Sequence, residues 1–174
     1  MRYHFQTEQW LPYPVEYVFR FFSDPANLPR LMPGWQKARI DRSNLTSPPP
    51  SLSNTPGTPI AGPGSRILLS FRPIPFSPIR LKWDAAIDEF VWNEHFCDLQ
   101  LTGPFAYWHH CHRVSTEIRG NVTGTLLRDD LHYEVPLGPL GRFANWLAVS
   151  GQIRTAFAFR HTRTNELLST DQSG

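Results

Sequence analysis

The stretch IRGNVT, residues 118–123, joins two long extended runs and constrains the fold more than any other feature of this sequence. Gly120 followed by Asn121 suits a two-residue type II′ hairpin turn, because glycine at the first central position adopts positive φ without steric cost. If Arg119 pairs with Val122, every later pair of the hairpin follows. This turn therefore predicts which face of the sheet each side chain occupies.

The predicted register divides the histidine-rich stretch AYWHHCHRV, residues 106–114, between the two faces of the hairpin. One set of opposed pairs is Trp108 with Tyr133, His110 with Leu131, His112 with Asp129, and Val114 with Leu127. The other set is His109 with His132, Cys111 with Asp130, and Arg113 with Arg128. Because the first set is largely apolar, we expect it to face the core, while the second set faces solvent.

Asp129 is a carboxylate on this otherwise apolar strand face. Burial of a carboxylate is costly unless a partner accompanies it, and His112 on the opposed strand can supply that partner. One interpretation is a buried His112–Asp129 pair that fixes the strand register. The other is a functional pair, in which His110 or His112 acts as a general acid or base.

Two histidines at i and i+2 of a strand also permit a metal site. A third ligand would then come from Asp129 or from the preceding strand, where the candidates are Glu94, His95 and Asp98. The buried pair explains the same residues more simply. We therefore expect no metal and no other cofactor.

Periodicity in the rest of the chain predicts a strand, two helices, six further strands and a long final helix. The first strand covers 3–10, and apolar residues at i, i+3, i+4 and i+7 from Val15 indicate the first helix. Asp24 before Pro25 predicts a second, short helix that runs to about residue 31. The first of the six further strands begins at about Gln36, and the other five are predicted over 66–71, 80–89, 94–102, 105–116 and 122–135.

A Pro-, Ser- and Gly-rich segment over 43–65 interrupts the strands and is predicted to be a long mobile loop. The final helix is predicted from Pro139 to about residue 162, with Gly151 as a possible kink. The remaining residues, 165–174, are predicted to be a polar tail. We expect one domain over 1–164 with the loop as an insertion.

Composition excludes several classes of protein. The chain of 174 residues has 17 Lys and Arg against 15 Asp and Glu, without a basic cluster, so we expect no nucleic-acid partner. No run of residues is long and apolar enough for a membrane span. Cys97 and Cys111 are interpreted as reduced thiols of a cytoplasmic protein, although a disulfide between them is possible.

The sequence resembles the helix-grip, START-like (SRPBCC) superfamily, which includes birch-pollen-allergen-like proteins and polyketide cyclases. The resemblance covers about residues 3–162 and depends on three stretches: LPYPVEYVFRFFSDPANLPRLMPGW, FCDLQLTGPFAYWHHCHRV and DDLHYEVPLGPLG. It implies an α+β fold in which a curved antiparallel sheet of about seven strands wraps around a long C-terminal helix. The residues that match the family pattern are Phe96, Asp98, Gln100, Trp108, His110, His112, Asp129 and Tyr133.

The resemblance implies an internal cavity between sheet and helix for a hydrophobic or aromatic small molecule. The expected apolar walls are Trp83, Phe143, Trp146 and Phe157, although such aromatic residues can equally fill a core. The alternatives are a cyclase, aromatase or dehydratase that uses His110, His112 and Asp129, and an interaction module that acts through the Pro-rich loop. The sequence leaves the oligomeric state and the inner face of strand 94–102 open.

Overall fold

Seven antiparallel strands form one curved sheet, in the order β1-β7-β6-β5-β4-β3-β2. The computed structural model describes residues 1–50 and 59–171. The strands are β1 (Arg2–Leu11), β2 (Arg39–Asn44), β3 (Arg66–Phe71), β4 (Leu81–Val91), β5 (His95–Thr102), β6 (Tyr107–Arg119) and β7 (Val122–Glu134). The helices are α1 (Val15–Ser23), α2 (Gly138–Ala144) and α3 (Ser150–Asp171), with a π-helical turn at Asn145–Val149. The predicted α+β helix-grip fold is confirmed.

The β6–β7 hairpin has the predicted register over its whole length. Arg119 pairs with Val122, and Gly120 has a φ of 61°, as the two-residue turn requires. His110 therefore opposes Leu131, and His112 opposes Asp129. All the inward-facing pairs follow from this one turn.

Helix α1 packs one apolar stripe against the sheet, and Val18 and Phe19 are almost fully buried. The predicted second helix is instead a series of short 3-10 turns over residues 25–36. The Asp24 carboxylate accepts a hydrogen bond from the backbone N–H of Ala26 at 2.9 Å, as its capping role predicts. Pro29 and Pro33 lack the N–H groups that a continuous helix would need.

The described parts of the 43–65 segment, residues 43–50 and 59–65, make defined contacts with the rest of the fold. The backbone N–H of Ala61 donates to the Ser23 carbonyl, and that of Gly62 donates to the Thr46 carbonyl. Ile60 and Ala61 are buried in the core. These contacts offset the entropy cost of ordering the segment, which the composition alone did not lead us to expect. Residues 51–58 lie outside the described part of the chain.

The C-terminal helix continues beyond the predicted end, to Asp171. Residues 165–171 are therefore not a polar tail, because Leu167 is 5% exposed and Leu168 is fully buried against the core. The Tyr17 hydroxyl also donates to the Leu168 carbonyl at 3.2 Å. The few apolar residues in this polar stretch hold the last turns in place.

The two cysteines are not free thiols, because Cys97 and Cys111 are directly opposed on β5 and β6 and form a disulfide. Their side chains lie on the face of the sheet opposite to His110 and His112. The interpretation as reduced thiols was wrong because the β5 register, which makes the cysteines neighbours, did not follow from the sequence. The cytoplasmic location inferred from reduced thiols therefore loses its basis. None of the described helices is long and apolar enough to cross a membrane.

Candidate functional site

A cavity of about 460 Å³ lies between the inner face of the sheet and helix α3. Its walls are mainly apolar and aromatic. Trp83, Phe96 and Trp108 line it from the sheet, and Ile153 and Phe157 line it from α3. Trp83 and Trp108 meet edge to face, with ring centroids 4.8 Å apart, and Phe105 packs on both. A drug-sized molecule fits a cavity of this size and composition.

The polar part of the cavity is built around Asp129, which is 1% exposed. Its Oδ1 lies 3.0 Å from Nε2 of His110 and 2.7 Å from Nδ1 of His112. Both histidines line the cavity, whereas Asp129 lies behind them on β7. The sequence predicted the His112 contact, and the structure shows that the carboxylate is shared with His110.

Asp98 faces the cavity, which settles the inner face of β5. It opposes His110 in the strand register, and its Oδ1 lies 3.5 Å from His110 Nδ1. His110 is therefore placed between two carboxylates, Asp98 and Asp129. This arrangement holds the ring at both nitrogens.

The two histidines have opposite protonation preferences. Burial lowers the pKa of His110, but hydrogen bonds and charges from Asp129 and Asp98 outweigh it, so the pKa is raised. For His112, burial together with the positive charges of His110 and Arg160 lowers the pKa to about 4. At neutral pH, His112 is thus neutral, whereas His110 keeps its proton to a higher pH than an ordinary histidine does. The pKa of Asp129 is well below its ordinary value, because the charges and hydrogen bonds around it overcome burial.

Arg160 on α3 completes the polar part of the cavity, and the sequence analysis missed it. Its Nη2 lies 3.5 Å from Nε2 of His112, and its guanidinium lies over the Phe22 ring at 5.1 Å. Its Nε is buried without a hydrogen-bond partner among the described residues. The available signal was helical spacing, because Arg160 follows Ile153 at i+7 and Phe157 at i+3 on the cavity face.

Two residues of the family pattern stabilise the structure around the cavity rather than line it. Gln100 Nε2 donates to the Phe105 carbonyl at 2.8 Å and so holds the turn between β5 and β6. The Tyr133 hydroxyl donates to Asn145 Oδ1 at 2.9 Å and fixes β7 to the π-helical turn. Both hydrogen bonds position segments that carry cavity residues, Phe105 and Val149.

Phe143 and Trp146 lie outside the cavity, with 60% and 75% of their surfaces exposed. The prediction assumed one regular helix. The π-helical segment Asn145–Val149 instead has more residues in its turn than an α-helix has. The side chains that face inward are therefore displaced by about one position along the helix. Asn145 is buried where Trp146 was expected.

The sequence from residue 11 to 157 matches the family model described as polyketide cyclase / dehydrase and lipid transport. This chain belongs to that family. The sequence matches no curated protein at a significant level.

Solved structures share the fold of this chain. A protein from Thermus thermophilus, TTHA0849, aligns with a TM-score of 0.63 at 14% identity, covering 97% of this chain and 98% of that one. A point mutant of Thalictrum flavum norcoclaurine synthase, in complex with a transition-state analogue, aligns with a TM-score of 0.61 at 14% identity, covering 99% and 97%. Ara h 8.0201 aligns with a TM-score of 0.59 at 11% identity, covering 98% and 99%.

Proposed function

We propose that this protein binds a hydrophobic or aromatic small molecule that carries a carbonyl group, in the cavity between sheet and α3. The observation that carries the proposal is Arg160, a guanidinium in an otherwise apolar and aromatic cavity. The family match supports ligand binding or cyclase-type chemistry in general. The contacts of Arg160 narrow the chemistry of the ligand.

The aromatic walls favour the apolar body of such a ligand. Trp83, Phe105 and Trp108 pack on one another in the cavity wall, and Phe157 packs against the His110 ring. Burying aromatic surface contributes about 25 cal/mol per Å² of apolar area, before the cost of association is subtracted. A flat ring system is therefore the preferred occupant.

The charges around Arg160 favour a neutral acceptor over an anion. The carboxylates of Asp98 and Asp129 carry two negative charges, which equal or exceed the positive charge of Arg160 and His110 whether or not His110 is protonated. An anionic ligand would add an uncompensated charge to a buried site, which is costly. A carbonyl oxygen accepts a hydrogen bond from the guanidinium without that cost.

A matched pair of naphthalenes tests the proposal. We expect 2-acetonaphthone to quench the fluorescence of Trp83 and Trp108 and to bind about tenfold more tightly than 2-ethylnaphthalene, because a hydrogen bond to a charged group contributes about 1.5 kcal/mol or more. Arg160→Met should remove this preference and leave the affinity for 2-ethylnaphthalene unchanged. Arg154→Met, an exposed change on the same helix, is the matched control.

Two results would contradict the proposal. If neither naphthalene binds, the cavity does not accept flat apolar molecules. If Arg160→Met retains the full preference for the ketone, the guanidinium does not recognise the carbonyl oxygen.

A second candidate function is proton abstraction next to that carbonyl, and His112 favours it. Its Nδ1 lies 2.7 Å from the negatively charged Asp129 carboxylate, which favours the proton on Nδ1 and leaves the Nε2 lone pair, 3.5 Å from Arg160 Nη2, as the base. Nε2 would take a proton from the carbon next to the carbonyl, and the electron pair would move to the oxygen as an enolate held by Arg160. The positive charge of Arg160 is one cause of the low pKa of His112. The negative charge that develops on the enolate oxygen offsets the charge of Arg160, so the pKa of His112 rises as the proton moves.

Deuterium exchange distinguishes catalysis from binding. In D₂O, the protein should accelerate exchange of the methyl protons of 2-acetonaphthone, measured by proton NMR. His112→Asn should abolish the acceleration while the ketone still quenches tryptophan fluorescence. A protein that binds the ketone without accelerating exchange would be a binding protein only.

A further inference from the structure

The outer face of the sheet, opposite to the cavity, carries a row of three histidines. His4 on β1 opposes His132 on β7, and His132 opposes His109 on β6. Asp130 lies beside this row on β7. These residues have no part in the cavity described above.

His4, His132 and Asp130 bring three donor atoms together. Nε2 of His4 lies 2.8 Å from Oδ1 of Asp130, and Nε2 of His132 lies 3.4 Å from the same oxygen. The two imidazole rings are stacked with centroids 4.4 Å apart and an interplanar angle of 9°. All three donor atoms lie within 4.8 Å of one another.

We propose that His4, Asp130 and His132 form a binding site for a divalent transition-metal ion of the zinc type. Zinc binds imidazole nitrogen and carboxylate oxygen at about 2.0–2.1 Å, so tetrahedral ligands lie about 3.3–3.4 Å apart. The two nitrogen–oxygen separations here, 2.8 and 3.4 Å, are close to that spacing, and rotation of the stacked, half-exposed imidazole rings would turn both Nε2 lone pairs towards one ion. A fourth position faces solvent, because both histidines are about half exposed.

A neighbouring hydrogen bond orients the carboxylate for this role. Gln6 Nε2 donates to Oδ2 of Asp130 at 3.2 Å, which leaves Oδ1 directed at the two imidazoles. Hydrogen bonds of this kind to a ligating carboxylate hold it in position for a metal. The three ligands also join β1 to β7, so the bound ion would tie the N-terminal strand to the rest of the sheet.

A second group of possible metal ligands on the outer face cannot bind an ion with all three of its residues. Cys97, Cys111 and His109 lie within ligand distance of one another, but the two sulfurs are joined in a disulfide. His109 also contacts Asp88, with Nε2 3.1 Å from the carboxylate. His4, Asp130 and His132 are therefore the better candidates for metal ligands. Substitution of His109, which lies in the same row of histidines, provides a control.

The test is zinc titration of the full chain, without affinity tag or reductant, followed by calorimetry and thermal unfolding. We expect one ion per chain and a rise in Tm with zinc concentration, since an ion that binds only the folded state stabilises it. His4→Gln and His132→Gln should each weaken binding at least tenfold, while His109→Gln should bind as the parent chain does. The exposed positions of His4 and His132 make all three variants suitable for comparison, and their Tm values in EDTA check the fold.

Cobalt(II) adds a readout that identifies the ligands. Cobalt bound at this site should show visible bands without the intense near-ultraviolet absorption of a cobalt–thiolate bond. The proposal is overturned if zinc does not bind, if His109→Gln weakens binding as much as His4→Gln does, or if thiolate absorption appears.

Discussion

The low pKa of His112 predicts that this protein loses stability in mild acid. In the unfolded chain, His112 takes up a proton near its ordinary pKa of 6.5, whereas in the folded state it remains neutral down to about pH 4. The unfolded state therefore binds more protons in this window, and stability falls as pH falls. From the two pKa values, the loss between pH 7 and pH 5 is about 2 kcal/mol.

Among the other buried groups that the structure describes, only His161 adds a loss of stability in the same pH window. The raised pKa of His110 contributes stability that is fully present below pH 6.5 and is lost only as pH rises through its folded value. The pKa of Asp98 and that of Asp129 are lowered, so their contributions are lost at more acidic pH. His161, whose pKa burial lowers, acts in the same direction as His112 and needs its own control.

Urea unfolding followed by tryptophan fluorescence at pH 7, 6 and 5 measures the effect. We expect His112→Asn to lose about 2 kcal/mol less than the parent chain between pH 7 and pH 5, whatever its absolute stability. His161→Asn should remove only the part of the pH-dependent loss of stability that His161 itself contributes. If His112→Asn shows the same pH dependence as the parent chain, His112 is not held neutral in the folded state and the account of the polar cluster is wrong.

Three further substitutions or treatments test the packing of the fold. Leu168→Ala should cost about 2–5 kcal/mol of unfolding free energy by urea denaturation, because the side chain is fully buried; a negligible loss would mean that the last turns are frayed. Asp129→Asn should cost about 3–5 kcal/mol, since it removes the buried carboxylate that contacts both His110 and His112, and a neutral result would contradict the shared contact. Reduction of the Cys97–Cys111 disulfide, which closes a loop of sequence separation 14, should lower stability by about 3 kcal/mol; an unchanged urea midpoint with and without reductant would show that the disulfide does not stabilise the fold.

The sequence predicts the fold well where a local signal determines a long-range pairing. The Gly120–Asn121 turn determines the complete β6–β7 register, and therefore the inward placement of His110, His112 and Asp129. The family resemblance adds the inward placement of Asp98, which strand alternation alone left open. These signals suffice because strand side chains alternate with a strict period of two.

The rest of the site depends on geometry that no local pattern contains. The π-helical turn shifts the helix face, and so the periodicity that placed Phe143 and Trp146 in the cavity was misleading. Arg160 was overlooked because a charged residue does not belong to an apolar helix stripe, although its spacing fits the cavity face. The disulfide required the register between β5 and β6, which the turn between those strands did not determine.

The tryptophan indole signals provide the most direct test of ligand binding in the cavity. The six tryptophans are distributed over the molecule: Trp83 and Trp108 line the cavity, and Trp146 is exposed. In a nitrogen–proton correlation spectrum, addition of 2-acetonaphthone should shift the indole signals of Trp83 and Trp108 and leave that of Trp146 in place. A shift confined to Trp146 would place the ligand on the surface and contradict the account.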